Sequence, residues 1–75
     1  MKELLTLIAK NLVSDPNAVE VIEEQRENTT VLRLKVAPDD MGKVIGKQGR
    51  IARAIRTLVK AAAVHEEKKV SVEIV

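Results

Sequence analysis

The 75 residues include no cysteine and no phenylalanine, tyrosine or tryptophan. The first absence excludes a disulfide staple and thiolate metal ligation, and it fits a reducing compartment. The second excludes nucleic-acid modules that stack bases on aromatic rings. A lone histidine, His65, is too few for a metal cage. No apolar run approaches the roughly 18–20 residues that span a bilayer, and no signal-peptide pattern opens the chain. A cytoplasmic protein with no membrane contact, metal or cofactor is expected. No Ser/His/Asp set or carboxylate pair is discernible, so no catalytic residue is assigned and an enzyme is not expected.

What is present describes a folded chain. Apolar residues make up 45% and charged residues 32%. Such a composition supports a core rather than disorder. A chain this short makes one domain, residues 1–75, which buries only about 60% of its unfolded surface. The net charge of +2 hides a segregation. Residues 1–40 hold five Lys/Arg and eight Asp/Glu. Residues 41–60 hold six cations (Lys43, Lys47, Arg50, Arg53, Arg56 and Lys60) and no acid. A block with one sign of charge attracts a polyanion, although it also suits a solvated helix face.

Periodicity orders the chain. Leu4, Leu5, Ile8 and Leu12 lie on one side of a helix over 3–13. Ser14-Asp15-Pro16-Asn17 stops it. A β-branched edge strand is expected over 18–26 and a turn at Glu27-Asn28-Thr29. The strand over 30–36 alternates, with Leu32, Leu34 and Val36 on one face and Val31, Arg33 and Lys35 on the other. Ala37-Pro38-Asp39-Asp40 ends it, and the aspartates suit the cap of a short helix over 40–46. A longer helix spans 50–65, with Ile51, Ile55, Leu58, Val59 and Ala62 as its apolar arc and Arg53, Arg56 and Lys60 on another. Val70, Val72 and Ile74 mark a last strand. The expected fold is α+β, in the order α-β-β-α-α-β. The first two strands form an antiparallel hairpin, and the helical crossover lets the third run parallel to the second. Three helices would cover one face of this three-stranded mixed sheet. The other face, with Arg33, Lys35 and Glu73, can stay wet.

The informative segment is Val44-Ile45-Gly46-Lys47-Gln48-Gly49-Arg50. Two glycines three apart, between two helices, permit a tight turn at positive φ and a close approach to the main chain. The second helix begins there, and phosphate is the anion that a helix start favours. Lys43, Lys47 and Arg50 add charge around the loop. A plain helix-helix turn would also explain the glycines, but not their place inside an acid-free block. A Walker A loop fails on spacing, because Gly42 and Gly46 enclose three residues rather than four and Gln48 stands where Ser or Thr should be.

The segment Val44-Ile45-Gly46-Lys47-Gln48-Gly49 resembles the signature of the KH domain, and the element order resembles its type II topology. The likeness covers almost the whole chain. Ala37-Pro38-Asp39-Asp40 before the signature, and Gly49-Arg50-Ile51-Ala52-Arg53-Ala54-Ile55-Arg56-Thr57-Leu58 through its second glycine and beyond, are similar to the small freestanding bacterial KhpA family. Ala52 stands where the general pattern has a larger aliphatic residue, which would make the groove wall smaller. The resemblance implies that about four nucleotides of single-stranded RNA or DNA lie between the helix-loop-helix and the neighbouring sheet edge. Lys43, Val44, Ile45, Gly46, Lys47, Gln48, Gly49, Arg50 and Arg53 are the expected RNA-binding residues, with Val44, Ile45 and Val36 as aliphatic walls for bases. It further implies a homodimer, or pairing with a larger KH protein of the Jag or KhpB type, and post-transcriptional or RNA-chaperone roles linked to cell envelope growth and division. Two other functions fit the residues less well: a KH module that docks protein without binding RNA, and a ribosome-associated assembly factor.

The remaining residues have simpler explanations. Glu20, Glu23, Glu24 and Glu27 suit a solvated strand edge. His65 suits the negative end of the long helix. Ala61, Ala63 and Val64 offer a weakly charged surface for self-association, or plain helix-forming residues.

Overall fold

The computed structural model describes all residues 1–75. Helix α1 spans Lys2–Leu12, β1 Glu20–Arg26, β2 Thr29–Lys35, α2 Met41–Ile45, α3 Arg50–His65 and β3 Lys69–Ile74. The order is α-β-β-α-α-β, with β2 between β1 and β3. β1 and β2 are antiparallel, pairing Glu20 with Lys35 and Arg26 with Thr29. β2 and β3 are parallel, pairing Thr29 with Lys69 and Leu34 with Ile74. The expected mixed sheet is therefore present.

Local chemistry explains the boundaries. Val13 is extended and ends α1. Pro16 starts a 3-10 turn through Ala18, so β1 begins at Glu20 rather than at residue 18. Proline fixes φ near the helical value and favours a turn there over a strand. A two-residue connection, Glu27-Asn28, joins β1 to β2. Pro38–Asp40 forms a second 3-10 turn, which delays α2 to Met41.

The core draws on every element. Leu5 and Ala9 of α1, Val21 of β1, Leu32 and Leu34 of β2, Val36 beyond it, Val44 of α2, Ile55, Val59 and Ala63 of α3, and Val70 and Val72 of β3 pack together. Burying one leucine or isoleucine here contributes about 1.5–3 kcal/mol. The buried stripe of α3 is Ala52, Ile55, Val59 and Ala63. Leu58, expected within the apolar arc, is 56% exposed. The helix lies on the sheet through a narrower face than its apolar residues would allow.

The far face of the sheet is less open than expected. The Arg33 guanidinium lies 2.7 Å from Glu24 Oε2 and 3.4 Å from Glu73 Oε1, while Arg26 Nε reaches Glu24 Oε1 at 2.7 Å. Glu24 faces Val31 across the ladder. Val31 is buried there without belonging to the main core. Hydrogen bonding to Arg26, with the charge of Arg26 and Arg33 beside it, holds the Glu24 carboxyl below its usual range. Glu24 of β1 and Glu73 of β3 thus neutralise this face, where Arg33 is already paired.

Candidate nucleic-acid interface

The loop is built by two glycines that do different work. Gly46 ends α2 by donating its N–H to the Gly42 carbonyl at 2.8 Å. Its φ of 72° and ψ of 176° lie in a region that glycine alone occupies readily. A Cβ on Gly46 would lie 2.6 Å from Ile51 Cγ1, so the position also needs the missing side chain. Gly49 has φ 73° and ψ 17°, and open space lies around the Cβ it lacks. Its role is conformational only. Gln48, with φ 57° and ψ 24°, carries the left-handed bend as a non-glycine residue.

Hydrogen bonds tie the loop to itself and to α3. Gly49 N–H donates to the Gly46 carbonyl at 3.2 Å, and Arg50 N–H to the Lys47 carbonyl. The Arg53 guanidinium reaches back one turn to the Gln48 carbonyl at 3.0 Å. Lys47 and Gln48 are exposed, as is Arg50 at the first position of α3. Two exposed cations thus flank one short, side-chain-poor bend. A phosphate diester is the ligand such a set accommodates, through charge-assisted bonds.

Not every expected residue lies open to a ligand. Val44 is 0% exposed and Val36 is 7%, so both side chains belong to the core and neither walls a groove. Of the three proposed walls only Ile45, 37% exposed, presents its side chain. Ala52 is 5% exposed on the buried stripe of α3, so its small size shapes packing rather than an open wall. The basic block divides in the same way. Lys43 pairs with Asp40 at 3.4 Å and donates to Ser14 Oγ. Arg53 is bound to the loop, and Arg56 Nε reaches the Val72 carbonyl of the edge strand at 3.4 Å. The side chains of Lys47, Arg50 and Lys60 make neither an ion pair nor a hydrogen bond.

The aspartates also depart from expectation. Neither Asp39 nor Asp40 caps α2 through its side chain. Asp40 is 3% exposed and turns toward the end of α1 instead. Its Oδ1 accepts from Ser14 N–H at 3.1 Å and its Oδ2 from Asp15 N–H at 3.0 Å. Those two bonds, with Lys43 beside them, hold its carboxyl below the ordinary range. Sequence reasoning missed this link. The only local signal was a polar turn, Ser14-Asp15, with free N–H groups to satisfy.

Helices crossing one face of a three-stranded mixed sheet, with a Gly-x-x-Gly bend between the second and third, define a KH domain of the type II order. The family model described as "KhpA/KhpB, KH domain" matches residues 2–74. The chain is 64% identical over 75 residues to the RNA-binding protein KhpA of Clostridium acetobutylicum, covering 100% of both. It is 47% identical to the protein of that name from Listeria monocytogenes, covering 100% of this chain and 99% of the relative. With that of Chlamydia trachomatis the identity is 50% over 74 residues, covering 99% of this chain and 95% of the relative. The chain belongs to the KhpA/KhpB family of KH domains, a non-enzymatic family.

Proposed function

We propose that this protein binds single-stranded RNA by gripping the sugar-phosphate chain at Gly46-Lys47-Gln48-Gly49. The observation that carries this reading is the bend itself: a tight turn at positive φ through Gly46, Gln48 and Gly49 beside the exposed Lys47 and Arg50, in a stretch with no acid from 41 to 60. The names of the relatives support it, since each is an RNA-binding protein. Ile45 supplies aliphatic surface for a base, and Gly46 and Gly49 let the strand lie close. Arg53 braces the loop from behind through Gln48. Discrimination between bases then rests on groove width and main-chain hydrogen bonds, so the protein tolerates many sequences.

The electrostatics set the scale. Lys47 and Arg50 give a salt slope of about −1.4 at roughly −0.7 per phosphate contact, and about −2 if Lys60 also touches the strand. So few contacts bind weakly alone. Tethering two such sites raises overall binding by about 10²–10⁴. We therefore assign the working form to a dimer, homotypic or with a larger KH protein of the KhpB type. Leu58 and Val64, 56% and 72% exposed on α3, are the surface that supports this contact. Ala63, 1% exposed, is part of the core and is withdrawn from it. The family likeness supports our reading of a chaperone-like, post-transcriptional role in the cytoplasm, linked to envelope growth.

Lys47→Asp with Gln48→Asp tests the binding. Aspartate accepts the left-handed conformation that position 48 requires, so the double variant reverses the charge while keeping the bend. RNA crosslinking should fall to background with an unchanged circular dichroism spectrum. Crosslinking at the parent level would refute the RNA reading and leave a protein-docking module.

A further inference from the structure

We propose that Asp40 is a positioning residue for the loop, and that Lys43 serves Asp40 rather than the bound strand. This rests on the RNA-binding reading and assigns a role to a buried carboxylate that the phosphate grip itself does not use. Asp40 sits at the root of α2, one residue before its first turn. Its two oxygens each accept one main-chain N–H from Ser14 and Asp15, just past the end of α1. Lys43, one turn into α2, closes the cluster by contacting both Asp40 and Ser14. Helix α2 has only five residues and ends directly at Gly46. So short a helix has little rigidity of its own. Its inner anchor is Val44 in the core. Its outer anchor is this three-way clamp on the end of α1. With both in place, the direction in which α2 delivers Gly46 and Lys47 is fixed before any strand arrives.

The chemistry requires a carboxylate. Two N–H donors converge on two oxygens, and Lys43 compensates the buried charge. An asparagine of the same shape would present its NH₂ to one of those N–H groups, leaving two donors opposed. One half of the clamp would open without a large change in volume. Lys43, meanwhile, is held to a fixed anion within the protein. A phosphate would have to compete for it against Asp40, and releasing it would leave a buried carboxylate unpaired. The strand therefore meets Lys47 and Arg50 instead.

Asp40→Asn and Lys43→Gln test both halves, at a temperature where each variant is folded by circular dichroism. Two readouts are needed. Backbone amide shifts and hydrogen exchange of residues 46–49 are recorded without RNA. Affinity for a short unstructured RNA of mixed sequence is recorded over a range of salt. Asp40→Asn should shift the loop amides, speed their exchange and weaken binding about fivefold or more, with the salt slope kept because no phosphate contact is lost. Lys43→Gln should also keep the slope, whereas Lys47→Gln should reduce it by about 0.7. Parent-like loop amides and affinity in Asp40→Asn would overturn the positioning role. A slope reduced by about 0.7 in Lys43→Gln would overturn the assignment of Lys43. Should Asp40→Asn not fold, the Lys43→Gln slope and loop amides decide by themselves: a kept slope with shifted amides sustains the clamp, and unmoved amides overturn it. If the parent chain retains no RNA, the proposed function falls, and the loop amides still decide whether Asp40 holds the loop.

Discussion

Replacing Gly46 by alanine should damage the fold far more than replacing Gly49, although both glycines have φ near 73°. At Gly46 two penalties combine. The backbone, φ 72° and ψ 176°, lies where a side chain costs about 1–3 kcal/mol. The new Cβ would also sit 2.6 Å from Ile51 Cγ1, 2.9 Å from its Cδ1 and 3.0 Å from its Cβ. Ile51 packs against the core and cannot simply swing away. Forced repacking of this kind costs about 1–3 kcal/mol. The sum is about 2–6 kcal/mol, a large share of the roughly 4–11 kcal/mol expected for a chain of this length. At Gly49 the left-handed conformation costs about 1–2 kcal/mol, and the lost freedom of the unfolded chain offsets about 0.4–1 of that. Nothing lies within 4 Å of a Cβ there. Urea and thermal unfolding followed by circular dichroism should therefore show Gly46→Ala with a Tm lower by about 10 °C or more and Gly49→Ala by only a few degrees. Ile51→Ala removes the two nearest atoms. The pair Gly46→Ala and Ile51→Ala should show a favourable coupling of about 1–2 kcal/mol in a double-mutant cycle. Equal losses at the two glycines, or no coupling, would refute the claim that close approach of α3 is what Gly46 permits.

Acid should weaken the fold through carboxylates that include Asp40 and Glu24. Asp40 and Glu24 both have lowered folded values, so their stabilisation is complete above the unfolded carboxylate range and is lost as pH falls through the lowered values. Tm should stay level from neutral pH to about 5 and drop below about 4, and Asp40→Asn should flatten part of that drop. Glu67 holds φ 56° without being glycine, so Glu67→Gly should raise stability by up to about 1 kcal/mol in urea unfolding. Leu32→Ala, at a site with 0% exposure, should cost about 2–5 kcal/mol in the same assay. Leu58→Glu with Val64→Glu should leave Tm of the isolated fold nearly unchanged but reduce a dimeric mass to a monomeric one in light scattering at tens of micromolar. A monomeric parent would remove the basis for the proposed pairing.

The element order, the strand alternation and the loop were legible from sequence because each is a local property. Leu32 and Leu34 alternate within one strand, Gly46 and Gly49 punctuate one bend, and the six cations of residues 41–60 stand in one unbroken acid-free block. Which of those cations remains free, and which apolar side chains face water, was decided by packing. Lys43 and Asp40 find their partners in Ser14 and Asp15, 25 to 29 positions away, and Arg56 finds Val72 sixteen positions away. No periodicity marks pairs so distant. Likewise Val44 enters the core and Leu58 leaves it because α2 packs against α1 and α3 while α3 lies on β3, contacts that exist only once the layers assemble.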